Sequence, residues 1–143
     1  MDRPLSGIRV IGLEQYMSAP YCTMLLADAG AEVIKIERPG IGDPRRFIPP
    51  FAEGVDGVKK AGGFMGYNRN KKSLALNLRS EDGKKILREL VAASDVVVEN
   101  LRPGSPVHQE TRAQVSPYPG QVKDPMELND EQQEKLRALG YLM

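Results

Sequence analysis

Gly7-Ile-Arg-Val-Ile-Gly-Leu-Glu-Gln-Tyr-Met-Ser-Ala-Pro20, answered by Ala31-Glu-Val-Ile-Lys-Ile-Glu-Arg38, decides the fold. Residues 8–13 are a short apolar run with β-branched side chains, bounded by Gly7 and the polar pair Glu14-Gln15, and read as a buried strand. Ser18 suits a helix cap and Pro20 the first helical turn, where its missing N–H costs nothing. Met24, Leu25 and Ala27, with Gly30 as a stop, predict a helix of about three turns. Val33, Ile34 and Ile36 form a second strand, and two strands joined by one helix make a right-handed parallel unit. The fold class is therefore α/β, a Rossmann-like parallel sheet with flanking helices.

Outward from this unit the texture changes. Residues 39–63 carry Pro-Gly-Ile-Gly-Asp-Pro, Ile-Pro-Pro-Phe and Ala-Gly-Gly-Phe with neither helical nor strand period, which predicts a surface excursion: a lid, a binding loop or a disordered stretch. Leu74, Leu76 and Leu78 alternate with Ala75 and Asn77 as a half-buried strand. Ser80 caps a helix with Glu81 and Asp82 in its first turn and Ile86, Leu87, Leu90 and Val91 on one apolar face. Residues 95–99 close the pattern as a buried strand. From Ser105 to Leu128 the chain is polar and rich in proline, so it reads as extended or disordered, followed by one short helix over 131–139 opened by the capping pair Asn129 and Gln132.

Composition narrows the function classes. With 20 basic and 19 acidic residues among 143, no global field draws the chain to nucleic acid or an anionic membrane. The length suits one domain at most, and no segment approaches the roughly 20 apolar residues needed to span a bilayer. Cys22 is the single cysteine, so there is no internal disulfide and no multi-cysteine zinc site; it reads as a small buried side chain in the first helix. No metal-ligand spacing occurs, and the reading is of a cytoplasmic protein.

Chemistry belongs at the carboxyl ends of the strands, where open parallel sheets bind ligands. The amides of Ser18, Ala19 and Tyr21 open a helix N-terminus suited to a phosphate or carboxylate, or form an ordinary strand-helix turn. Arg38 ends the second strand where a nucleotide's ribose is read, and suits a phosphorylated ribose; the alternative is a solvated charge. Asn68, Asn70, Lys71 and Lys72 make either a phosphate-facing cluster or a solvated strand entry, and Arg79 points toward the same rim as Arg38 or sits free. Glu14, Glu37 and Glu99 are strand-end carboxylates. His108, the lone histidine, has no nearby nucleophile and is not read as catalytic. The turn after the first strand lacks Gly-x-Gly-x-x-Gly, which weighs against an NAD enzyme.

Taken together, Pro4-Leu-Ser-Gly-Ile-Arg-Val-Ile, residues 18–40, Gly42-Asp-Pro-Arg-Arg, Asn68-Arg-Asn-Lys-Lys-Ser-Leu and Asp95-Val-Val-Val-Glu-Asn-Leu-Arg-Pro-Gly resemble the opening of a class III coenzyme A transferase, the group of formyl-CoA transferase and carnitine CoA-transferase. The likeness covers residues 4–104. It implies that residues 1–104 are the N-terminal part of a CoA-binding domain and 105–143 an unmatched tail, with acyl-CoA and a small carboxylic acid as substrates. It implies that Tyr16 and Met17 line the adenine and pantetheine path, chiefly through their backbone amides, that Arg38 meets the ADP phosphates, that Leu76 and Arg79 flank the nucleotide, and that Asn100 and Leu101 border the pantetheine arm. The family's covalent mechanism runs through an aspartate beyond the matched stretch. The resemblance thus implies a truncated CoA-binding fragment with no catalytic residue of its own. The family's homodimer, two interlocked rings, draws on the segment beyond the match. Within the same fold an α-methylacyl-CoA racemase-like fragment is the second reading, and a non-catalytic CoA-binding or interaction module the third.

Overall fold

The computed structural model describes residues 3–55 and 57–109. Four parallel strands form the main sheet: β1 (Arg9–Leu13), β2 (Glu32–Glu37), β5 (Lys72–Ala75) and β6 (Val96–Glu99). They lie in the order β5-β2-β1-β6, so the third, second, first and fourth strands in chain order stand side by side. The chain steps from β1 to β2 to β5 in one direction and then crosses to the far side of β1. That reversal creates a topological switch point between β1 and β6, the place where such sheets open a crevice.

Two cores result, one on each face. Helix α1 (Ser18–Asp28) covers the side of Val10, Val33 and Val98 with Ala27 and Leu26. Helix α3 (Glu81–Ala92) covers the other with Leu87 and Val91, packed on Ile11, Leu13, Ile36 and Leu76. The alternation along β1, with Val10 toward α1 and Ile11 toward α3, follows from the two-residue period of a strand. The end of α1 and the start of α3 are as the sequence predicts. At the end of α1 the Gly30 amide donates to Ala27 and the Ala31 amide to Leu26, a Schellman closure with Gly30 at φ +108°. At the start of α3 the Ser80 hydroxyl accepts from the Gly83 amide, as the sequence predicts.

Several expectations need correction. The residue preceding α1 is Met17, and no side chain caps it; Ser18 is already helical. Cys22 is exposed, because α1 buries Ala19, Pro20, Thr23, Met24 and Ala27 and turns the stripe of Tyr21, Cys22 and Leu25 outward. Ile86 of α3 is exposed as well, one position off its buried face. Strand β6 is an edge strand, partly exposed along its length, since nothing pairs with its outer side among the described residues.

The aperiodic excursion is ordered. It holds a 3-10 turn (Pro44–Phe47), an antiparallel hairpin of β3 (Phe51–Glu53) and β4 (Lys59–Ala61), and helix α2 (Gly62–Asn68). Its order comes from long-range contacts that leave no period. Arg46 clasps Glu37 and lays its guanidinium 3.7 Å over the Phe64 ring. Residues 106–109 are helical rather than extended, the Gln109 amide donating to Ser105. The expected helix over 131–139 lies outside the described residues.

Candidate functional site

The carboxyl ends of the four strands surround a cleft of about 600 Å³, within the range of small-molecule sites. Leu13, Glu14 and Gln15 come from the end of β1, Ile36 to Pro39 from β2, Leu76 to Arg79 from β5, and Leu101, Ser105 and Val107 from beyond β6. The floor is apolar: Leu13, Ile36 and Leu76 are buried members of the core beneath. Two cations stand on its rim. Arg38 and Arg79 are both exposed, and neither guanidinium has a partner among the described residues.

Of the residues singled out in the sequence, the cleft gathers Arg38, Leu76, Arg79 and Leu101. Tyr16, Met17 and Asn100 are not in its lining. Tyr16 and Met17 lie on the turn between β1 and α1 with their side chains half exposed. Asn100 works behind the wall: its Oδ1 accepts from the Gln15 amide at 2.9 Å and its Nδ2 donates to the Gln15 carbonyl at 2.9 Å. This reciprocal pair imitates a strand rung and pins Gln15 to the end of β6. The Tyr21 amide, offered by the sequence as an anion donor, already bonds to the Met17 carbonyl within α1. The Tyr16 amide is likewise engaged, by Asp43 Oδ1 at 3.1 Å.

Glu37 ends β2 beside Arg38 and is saturated. Oε1 accepts from Arg46 and Ser73, and Oε2 from Arg46 and the Asp43 amide, all between 2.8 and 3.0 Å. Burial raises this carboxyl's pKa, but the bonds from Arg46, Ser73 and Asp43 outweigh it and hold the value at about 2. The acidic group that reads a free ribose in dinucleotide folds therefore has no lone pair to spare here. Glu99, at the end of β6, places Oε1 2.9 Å from His108 Nδ1, and its Oε2 accepts from the Leu101 amide at 2.8 Å.

Beneath the first turn lies a group that sequence reading missed: Glu14, Lys35, Asp43 and Lys71, all with buried side chains. Lys71 donates to Glu14 Oε1 at 2.7 Å, the Pro20 carbonyl at 2.8 Å and Asn68 Oδ1 at 3.1 Å, so all three of its hydrogens are used. Burial pulls its pKa down, against the opposing pull of Glu14. Lys35 meets the Glu14 carbonyl at 3.1 Å and Asp43 Oδ2 at 2.8 Å, and that ion pair is what satisfies an oxygen with no better-aligned hydrogen bond. Thr23 of α1 donates to Glu14 Oε2 at 2.6 Å. Neither sequence alternative for Lys71 holds: it faces no cleft and no solvent. Its neighbour Lys72 is the solvated one, paired with Glu32 at the surface. Asn68 and Asn70 are structural too, Asn68 bonding Lys71 and the Phe64 carbonyl and Asn70 bonding Asp28. A lysine inside an apolar strand was the available signal at position 35, since it must find anions or snorkel.

Residues 5–114 match the model of CoA-transferase family III. The chain is 48% identical over 101 residues to a succinyl-CoA:mesaconate CoA-transferase of Haloarcula marismortui, covering 71% of this chain and 25% of that protein. It is 46% identical over 103 residues to a succinyl-CoA:glutarate CoA-transferase of Homo sapiens, covering 71% and 22%. With a formyl-CoA:oxalate CoA-transferase of Escherichia coli it shares 40% identity over 108 residues, covering 76% and 25%. The crystal structure of a CAIB/BAIF family protein from Brucella suis superposes with a TM-score of 0.70 at 36% identity, over 80% of this chain and 31% of that one. The chain spans about a quarter of the length of the curated relatives it matches. Among the described residues no helix is long and apolar enough to cross a membrane.

Proposed function

Because this chain belongs to CoA-transferase family III, we propose that the cleft at its strand tips takes the phosphorylated adenosine end of coenzyme A. The chain then contributes carrier binding to a reaction in which CoA passes between an acyl-CoA and a carboxylic acid. Arg38 and Arg79 are its phosphate contacts, charge-assisted donors on a rim whose floor is hydrocarbon. Leu76 flanks the adenine, Leu101 borders the pantetheine arm, Asn100 holds the wall that the arm passes, and Tyr16 and Met17 lie at the turn where the arm leaves the cleft.

One observation carries this reading: two guanidinium groups without partners among the described residues face one cleft while the adjacent Glu37 is fully bonded. A nicotinamide dinucleotide would need an acceptor for its ribose hydroxyls at that strand end, and Glu37 is occupied. A phosphorylated ribose needs a cation there, and Arg38 is available.

Titration calorimetry of the purified chain with CoA, dephospho-CoA and NAD tests it. CoA is expected to bind tightest, and Arg38→Ala to weaken CoA by roughly tenfold or more, the scale of one charge-assisted hydrogen bond, while leaving dephospho-CoA nearly unchanged. Equal losses for both ligands, or NAD binding as well as CoA, would refute the assignment.

A further inference from the structure

Tyr16 stands at φ +65°, a left-handed conformation that a bulky side chain rarely adopts without being held there. What holds it is Asp43. This carboxylate is fully buried; Oδ1 accepts from the Tyr16 amide at 3.1 Å and the Arg45 amide at 2.9 Å, and Oδ2 lies 2.8 Å from the Lys35 ammonium. Its own amide donates to Glu37 Oε2 at 3.0 Å, and the preceding Gly42 amide closes onto the Arg38 carbonyl at 2.8 Å. Asp43 therefore ties the turn after β1 to the end of β2, two of the walls of the cleft, through bonds on both of its carboxylate oxygens and its backbone.

We propose that Asp43, fixed by Lys35, is a positioning residue for carrier binding: it holds Tyr16 left-handed and thereby keeps the Gln15 wall in register with Arg38. The inference rests on the carrier reading above. A backbone held in advance in a strained conformation spares the ligand the work of ordering it. Gln15 is pinned on its other side by Asn100, so loss of Asp43 frees one end of the turn only.

The test is a double-mutant cycle read by CoA affinity. Removing both members of the ion pair, Lys35→Met with Asp43→Ala, avoids stranding a buried ammonium. This variant is expected to bind CoA about tenfold more weakly, the scale of one residue's left-handed penalty. Adding Tyr16→Gly, which removes that penalty, should bring the loss attributable to the pair to within about twofold of the Tyr16→Gly chain. A general packing role for Asp43 would show no such dependence on position 16, and additive effects would overturn the proposal. Should the paired variant fail to fold, hydrogen exchange at the Tyr16 amide of the unsubstituted chain decides: strong protection without ligand supports the clamp, and exchange at the rate of an open turn overturns it. Failure of the unsubstituted chain to bind CoA sinks the carrier reading itself, whereas normal binding with an unaffected paired variant sinks only the role of Asp43.

Discussion

Lys71 and Lys72 are adjacent in the chain and opposite in environment, and replacing each by methionine separates burial from composition. Lys71 gives all three hydrogens to Glu14, Pro20 and Asn68, while the side chain of Lys72 is 69% exposed against Glu32. Lys71→Met leaves the buried Glu14 carboxylate with the more distant Lys35 contact at 3.5 Å and the Thr23 hydroxyl, and takes one hydrogen bond each from the Pro20 carbonyl and Asn68. Breaking a buried ion pair from one side costs about 3 to 5 kcal/mol, whereas an exposed pair is worth about 0 to 1. Urea denaturation followed by circular dichroism should therefore show a midpoint drop of roughly 1 M or more for Lys71→Met, and almost none for Lys72→Met. In thermal unfolding the first should lose more than about 12 °C. Equal shifts for the two variants, or a loss below about 1 kcal/mol for Lys71→Met, would refute the claim that this cation joins α1, α2 and β1.

The Glu37 carboxyl, held at about 2 against an ordinary 4.5, contributes stability that is present above its ordinary value and lost as pH falls toward 2. Arg46→Met should cost roughly 1 to 3 kcal/mol at neutral pH and move the onset of acid unfolding upward, with the gap to the unsubstituted chain closing below about pH 3 in a pH series of denaturation curves. Gly83→Ala would be a gain of about 1 kcal/mol on helix propensity alone, but a Cβ there runs into the Asn77 carbonyl oxygen; a net loss of about 1 to 3 kcal/mol by the same denaturation assay is expected. Ser80→Ala should cost about 1 kcal/mol through the lost cap, while Ser18→Ala should stay within about 0.5, and a reversal of that order would contradict the cap assignments.

The βαβ opening, the capped α3 and the last strand were legible in the residues because local periodicity and terminus chemistry produce them. The leucine alternation at 74, 76 and 78 also reads correctly in burial, although β5 itself ends at Ala75. What escaped was whatever is built from distant partners. Residues 39–63 show no period because their order depends on Arg46 reaching Glu37 and Phe64. Lys35 joins groups 21 residues before it and eight after it. The side of β1 taken by each later strand has no local signature either. In the candidate site, Arg38 and Arg79 were legible by position at strand ends, whereas Leu76 and Leu101 came from the family resemblance; all four line one cleft. The bond of Asn100 to Gln15 was not legible, since a side-chain amide that copies a backbone rung looks in sequence like any loop asparagine. Tyr16 and Asp43 depend on a backbone angle that the residue type itself disfavours.

The buried quartet also has a charge balance that no short stretch of the chain can meet. Lys35 pairs with Asp43 at 2.8 Å and lies 3.5 Å from Glu14, whose own close cation, Lys71 at 2.7 Å, is supplied 28 residues after Asp43. Residues 14, 35 and 43 alone therefore carry two buried carboxylates against one ammonium, an imbalance that burial makes costly. The interior of the βαβ opening is thus charge-balanced only when the residue just before β5 has joined it.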